Sequence, residues 1–215
     1  MLIVGAKGFA KEVLEVCYQL QQLEHLVFFD DVNADAPALL YNQFPVLKSI
    51  EEVALYFKTI DAAFTIGIGN PSLRKKLVHK FEAIGGIYTS TISPFATIGH
   101  FGTTIGAGSN IMTGAIVSND VTIGKGCLIY FNSVITHDCI IENYVEISPS
   151  VKVLGRCKIG RYTQIGSNAT VLPDIILGEN VIVGAGSVVT KDVPANCLVV
   201  GVPAVIKKEV PKLIR

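Results

Sequence analysis

A small parallel α/β domain followed by a parallel β-helix of about five coils is the fold that the sequence predicts. Two observations carry it. Over residues 1 to about 90, short strand-like runs alternate with helix-like ones. From about residue 98 the pattern changes, and positions 105, 111, 117, 123, 129, 135, 141, 147, 153, 159, 165, 171, 177, 183 and 189 are all Ile, Val or Leu.

In the first region, "LIVGA" reads as a strand, and residues 8–22 as a helix that turns Val13, Leu14, Cys17 and Leu20 toward a core. "LVFFDD" is a second strand and "AAFTIGIGN" a third, and Pro71-Ser72 begins another helix over residues 72–83. Strand and helix in alternation imply a parallel sheet. Gly5 and Gly8 follow the first strand and open the helix, a place where backbone N–H groups can meet a phosphate. The full G-x-G-x-x-G fingerprint is absent, and a plain tight turn accounts for the two glycines equally well. Asp30 and Asp31 end the second strand, about where an acidic residue meets a ribose or sugar hydroxyl in such folds.

Neither helical nor simple strand periodicity places an aliphatic residue at every sixth position. A three-sided prism does, with six residues to a side and eighteen to a coil. Two residues before each aliphatic stand mostly small side chains, among them Thr103, Ser109, Ala115, Ser133 and Thr163, which can share a narrow interior. Cys127, Cys139 and Cys157 fall in the same column and read as core fillers. Three residues after each aliphatic, ten of fourteen corners are Gly, Asn or Asp, which tolerate a left-handed backbone. Tyr144, Ser150, Arg156 and Tyr162 are consecutive exceptions outside this rule.

Composition excludes several function classes. Lys+Arg and Asp+Glu both total 18, so no bulk charge points to nucleic acid or an acidic membrane. The five cysteines (Cys17, Cys127, Cys139, Cys157, Cys197) are scattered, with no C-x-x-C pair, which implies a reducing, cytoplasmic setting rather than a disulfide framework. Half of the residues are hydrophobic, yet no apolar run reaches the ~18 residues of a membrane span. The opening "MLIVGAKGFAKE" turns polar too soon for a signal peptide. A zinc site needs converging histidines, and the repeat offers only His137 and, at its margin, His100, so no metal is expected.

The stretch "SVITHDCI" holds the imidazole that the repeat does not explain. Residues eighteen apart stack at about 4.8 Å, so Asn119 lies below His137 and Gly155 above it. The His137 column (Ala107, Thr113, Asn119, Lys125, Phe131, Asn143, Pro149, Gly155) follows no rule that asks for imidazole. The glycine is expected to leave an open step over the ring. Asp138 has two explanations, because the corner column also holds Asp120 and Asp174. One residue before each aliphatic, Ile116, Leu128, Val134, Ile140, Ile176, Ile182 and Val188 point outward, too many for a face left in water and suited to a subunit interface.

Taken with the hexapeptide run, "THDC", "GAGSVVTKDVPANCLVVGVPA" and "VGAKGFAKEV…FFDD…IGIGNPSLRKKL" resemble the sialic acid O-acetyltransferase and pilin-glycosylation family of hexapeptide sugar acyltransferases. The resemblance spans nearly the whole chain. It implies a Rossmann-like domain, residues 1–90, that grips the nucleotide of a UDP-sugar acceptor. A left-handed β-helix acyltransferase domain, residues 91–215, would follow, assembled as a homotrimer with acetyl-CoA between neighbouring helices. The family's base falls on His137, with Asp138 orienting the ring. A neutral imidazole suits the removal of a proton from an attacking amine or hydroxyl. From the stacking, Gly155 is the expected backbone donor to the thioester oxygen. Gly184 and Ala185 would flank the pantetheine arm, and Lys191, Pro203 and Lys207-Lys208 its far end, although the two lysines also fit a solvated tail. Three positions depart from relatives: Phe9 and Glu146 stand where a His is common, and Tyr130 where Asn is common. The activity implied is transfer of acetyl to an amino group of a nucleotide-linked sugar. The alternatives are O-acetylation of sialic acid or a related sugar and a non-catalytic scaffold.

Overall fold

The computed structural model describes residues 1–33 and 36–213. They form two compact units, which divide between Ser93 and Pro94.

The first unit contains β1 (Leu2–Val4), α1 (Gly8–Gln19), β2 (Val27–Phe29), β3 (Leu39–Leu40), β4 (Phe44–Leu47), α2 (Ile50–Thr59), β5 (Ala63–Ile66), α3 (Pro71–Glu82) and β6 (Ile87–Tyr88). Its sheet runs β3-β4-β2-β1-β5-β6, parallel throughout except for the β3–β4 pair. Val13, Leu14 and Cys17 of α1 are buried as the sequence implies, while Leu20 is only half-buried. The helix α2, not anticipated from hydrophobic spacing, is announced by a capping box. Ser49 Oγ accepts from Glu52 N, and Glu52 Oε2 accepts from Ser49 N. Asn70 caps α3, with Pro71 in its first turn.

Because β2 lies on one side of β1 and β5 on the other, the chain reverses its direction of winding at the β1–β5 boundary. In such sheets the crevice beyond the carboxyl ends of the two strands is where ligands bind. Here those ends lead into Gly5 and Gly67. Gly67 is required by packing, since a Cβ there would lie 2.6 Å from Ala10 Cβ of α1.

The second unit is the left-handed parallel β-helix. Two-residue strands repeat on three faces and, within the stack, pair in parallel with the strand eighteen residues away, as in Ile116↔Val134, Val134↔Lys152 and Lys152↔Thr170. Fourteen of the fifteen aliphatic positions are buried, and only Ile105, at the start of the stack, is half-exposed. The face holding Ile182–Val183 continues into an antiparallel hairpin of Cys197–Gly201 with Ala204–Glu209.

The small interior column does more than fill space. Ser109 Oγ donates to Gly124 O at 2.9 Å, Cys127 Sγ to Glu142 O at 3.0 Å, and Ser133 Oγ to Ser148 O at 3.0 Å. Cys139, Cys157 and Thr163 repeat the bond to Leu154 O, Leu172 O and Gly178 O. Each reaches the carbonyl fifteen residues on, at the bend of the next coil, so hydroxyl and thiol serve as interchangeable donors to it.

All fourteen corners have positive φ, from +56° at Asn132 to +74° at Gly114, whatever their residue type. The exceptions to the Gly/Asn/Asp rule are therefore in the same conformation, at a cost of roughly 1 kcal/mol for a side chain. Two of them meet their neighbours along the stack. The Tyr144 and Tyr162 rings stack with centroids 5.6 Å apart and planes nearly parallel, an arrangement that offsets a cost of that size. Arg156 Nε and Nη2 grip Asp174 Oδ1 and Oδ2 at 2.6 and 2.8 Å.

Of the outward apolar residues, Ile116, Ile140 and Ile176 are more than 40% exposed, and Val134, Ile182 and Val188 are half-buried. Leu128 departs from expectation and is fully buried. No helix among the described residues is long and apolar enough to cross a membrane.

Candidate active site

His137 and Asp138 follow the strand Val134–Ile135, on the corner that leads to Ile140–Ile141. His137 Nδ1 lies 2.6 Å from Asp138 Oδ2, and both side chains are about half-exposed. A carboxylate only accepts, so Nδ1 carries a proton, and in the neutral ring Nε2 keeps its lone pair. The backbone fixes the acid: Asp138 sits at φ +59°, and its N–H donates to Asn119 O at 3.4 Å. The left-handed turn swings the carboxylate back along the edge toward the preceding residue's ring.

Gly155 lies above the imidazole, but the step is not open. A Cβ on Gly155 would come 2.7 Å from His137 Cε1 and 2.9 Å from Nε2, so the ring itself fills the space. Gly155 has no positive φ, and what requires glycine here is this close approach. Its peptide neighbours are tied into the coil, Leu154 N to Val171 O and Arg156 N to His137 O, both at 3.0 Å. Among the described residues the Gly155 N–H itself has no acceptor. In the coil beginning at Phe101 the equivalent N–H is taken by Asn119 Oδ1, from the side chain one coil on. Glycine at position 155 supplies no such group for His137, and Pro173 supplies none for Gly155.

The remaining candidates divide between two edges. Lys191, exposed, shares the column of His137 and Gly155, because Val134, Lys152, Thr170 and Val188 stack in register. Gly184 and Ala185 follow Ile182–Val183 and sit on a different edge of the prism. Ala185 is exposed, whereas Gly184 is needed for packing, as a Cβ would meet Val200 Cγ1 at 2.6 Å. Pro203 is exposed between the hairpin strands, and Lys207 and Lys208 are exposed on the second of them. One copy of the chain thus leaves Ala185 apart from His137. Tyr130 packs near Phe131 at 5.9 Å between centroids, and Glu146 is half-exposed on a face.

In the α/β unit, Gly5, Gly8, Phe9, Asp30 and Asp31 all line one pocket of about 390 Å³. It opens at the β1–β5 boundary, against the start of α1, where no side chain caps the helix and no acid stands in the first turn. Gly5 is held at φ +106° beneath Gly67 O, while a Cβ on Gly8 would meet nothing within 4 Å. So Gly5 is explained by its turn and Gly8 by neither strain nor packing. The two acids differ. Asp30 is buried, and its oxygens accept from Val32 N, Asn33 N and Asn33 Nδ2, so it shapes the loop that walls the pocket. Asp31 is partly exposed, with Lys80 Nζ at 3.2 Å. Gly67, Ile68 and Gly69 complete the wall and were missed in the sequence. Their signal was the Gly-x-Gly directly after a strand in "AAFTIGIGN". Among the described residues no group of three or more His, Cys, Asp or Glu side chains could hold a metal ion.

The family model for the PglD N-terminal domain matches residues 1–81, and the bacterial transferase hexapeptide model matches repeatedly over residues 102–137, 120–155, 138–172 and 156–191. No curated protein matches. Among solved structures, PerB from Caulobacter crescentus, in complex with CoA and GDP-perosamine, is 30% identical, with 96% of each chain covered and a TM-score of 0.88. The acetyltransferase domain of PglB from Neisseria gonorrhoeae is 28% identical over 95% of this chain and 98% of that one, with a TM-score of 0.85. WeeI from Acinetobacter baumannii is 32% identical, over 95% of this chain and 98% of that one, with a TM-score of 0.73. With both halves matched and the whole length shared, the chain belongs to the hexapeptide-repeat sugar acyltransferases of the pilin-glycosylation type.

Proposed function

We propose that the protein transfers acetyl from acetyl-CoA to an amino group of a nucleotide-linked sugar, with His137 as the base. The observation that carries the reading is the 2.6 Å Nδ1–Asp138 contact on a half-exposed ring seated against Gly155. The contact fixes the tautomer that leaves Nε2 as the proton acceptor. In the reaction the amine nitrogen attacks the thioester carbonyl, and its proton passes to Nε2. The C–S bond then breaks, and the proton on Nε2 is delivered to the leaving sulfur. Asp138 holds the ring and balances the imidazolium between those steps. The Gly155 N–H is the candidate donor to the carbonyl oxygen as its charge develops.

The pocket of the α/β unit binds the acceptor in this reading. The uncapped α1 start at Gly8 and Phe9 suits a diphosphate, and Asp31 a hydroxyl or base edge. PerB is solved with a GDP-sugar, so UDP and GDP nucleotides both belong in the test. The chain works as a homotrimer, because Gly184 and Ala185 lie on another edge from His137, and a neighbouring copy brings such edges face to face along a groove for the pantetheine arm. Lys191, Pro203 and Lys207-Lys208 serve its far end. The five free, buried cysteines fit a reducing, cytoplasmic location.

The deciding experiment is thiol release from acetyl-CoA with a panel of UDP- and GDP-linked amino sugars alongside free sialic acid. Saturable turnover with a nucleotide-linked amino sugar supports the reading. Turnover with sialic acid alone replaces it by O-acetylation, and no turnover together with no acetyl-CoA binding replaces it by a scaffold. Light scattering at micromolar concentration should give three times the chain mass, and a monomer would remove the shared groove.

A further inference from the structure

The corner column that carries Asp138 reads Asp120, Asp138, Arg156, Asp174, one residue per coil. Arg156 stands between two acids at the same nominal spacing of about 4.8 Å. It turns wholly to one of them. Nε and Nη2 take both oxygens of Asp174, and Asp138 is left to His137 Nδ1. The arginine occupies a left-handed corner, φ +63°, a conformation that glycine or asparagine would hold with less strain, so its side chain answers to something other than the turn. The pairing is mutual: hydrogen bonding and charge from Asp174 push Arg156 up, and Arg156 holds Asp174 below the usual carboxylate range.

We infer that Asp174 is a positioning residue, which holds the Arg156 guanidinium away from Asp138 and so keeps the Asp138 carboxylate committed to His137. The inference rests on the reading of His137 as the base. In the corner column Asp120 stands one coil below the pair and Arg156, Asp174 and Asp192 above it, with the interior Cys139 after the turn. Arg156 is the only cation among them, and Asp138 is the nearest acid to it once Asp174 is neutral. A freed guanidinium would pair with Asp138 and draw its oxygen off the ring, which loses both its orientation and the counter-charge of its protonated form.

The test is Asp174→Asn, alone and combined with Arg156→Gln, read two ways on the full-length protein. Proton NMR at low temperature should show a far-downfield resonance from the short Nδ1–H···O bond in the wild type. The resonance should weaken or vanish in D174N and return in the double variant, whether or not the protein is an acetyltransferase. Turnover should fall roughly two- to fivefold in D174N, the scale of one exposed charge pair competing for the carboxylate, and recover in the double variant. A D174N protein with unchanged resonance and turnover overturns the inference. So does a loss that the double variant fails to restore, which would mark Asp174 as structural, and so does the absence of the resonance from the wild type. Loss of the proposed function is a separate result: the resonance pattern would hold while no acceptor turned over.

Discussion

Each position of the β-helix recurs once per coil, whereas each position of the α/β unit occurs once. That difference decides what can be learned from a single chain. In the helix, a residue is judged against its own column: His137 stands out because Asn119 below it and Gly155 above it set no precedent for imidazole, and Arg156 because its corner column is otherwise acidic from Asp120 to Asp174. In the α/β unit, Gly5 and Gly8 look alike on the page, and only the structure separates a glycine demanded by φ from one demanded by nothing in the chain.

The comparison breaks most sharply at His137. Its Ala variant should lose about 10²–10⁴-fold in turnover, the usual contribution of a placed base. Its melting temperature should stay near that of the wild type, because the ring is half-exposed and outside the buried columns. Steady-state kinetics beside a melting curve separate a base from a structural residue. Gly155→Ala comes next. The new methyl would displace the end of a side chain rather than backbone, so folding should be spared while activity falls about 10²-fold, the scale of a catalytic group misplaced by about 1 Å. Equal turnover in G155A and wild type would show that the ring need not sit where it does.

The α/β unit predicts the reverse pattern, binding without chemistry. Gly8→Asp adds a carboxylate at the uncapped start of α1, in space that is open. We expect KM for the sugar nucleotide to rise about tenfold, as one like-charge contact near a helix start would give, with KM for acetyl-CoA unchanged. If both KM values rise together, the division of labour between the units is wrong. The smallest effect lies at Asp30. Burial pushes its carboxyl up, but hydrogen bonds from Asn33 and Val32 and the Lys48 charge outweigh it and hold it below the usual range. A depressed folded value means stability that is present above an unfolded pKa of about 3.9 and lost as pH falls through the folded one. Melting temperature should therefore drop more steeply below about pH 4 in the wild type than in Asp30→Asn.

The β-helix was legible because repetition turns weak preferences into a pattern, and its cysteines were placed correctly for that reason. What stayed hidden was one-off and local. The burial of Leu128 breaks the outward rule of its column, and α2 rests on the Ser49–Glu52 box rather than on periodicity. Within the site, the adjacency of His137 and Asp138 could be read, but not the contact of ring and glycine, because spacing places Cα atoms and says nothing of where a side chain lies down. The position of Asp30 at a strand end could be read, but not the hydrogen bonds from Val32 and Asn33 that hold its carboxylate in the loop.

The stacked edge that carries His137, Gly155 and Lys191 is also a ruler. Its graduation is one coil, and three coils set the imidazole and the ammonium roughly 14 Å apart along the axis. Removing eighteen residues between them would shorten that reach by one graduation while leaving every face, corner and interior column in phase. Length along the groove can therefore change in whole steps without any redesign of the core. A protein built this way can match a longer or shorter arm on its substrate by counting coils rather than by reshaping a pocket.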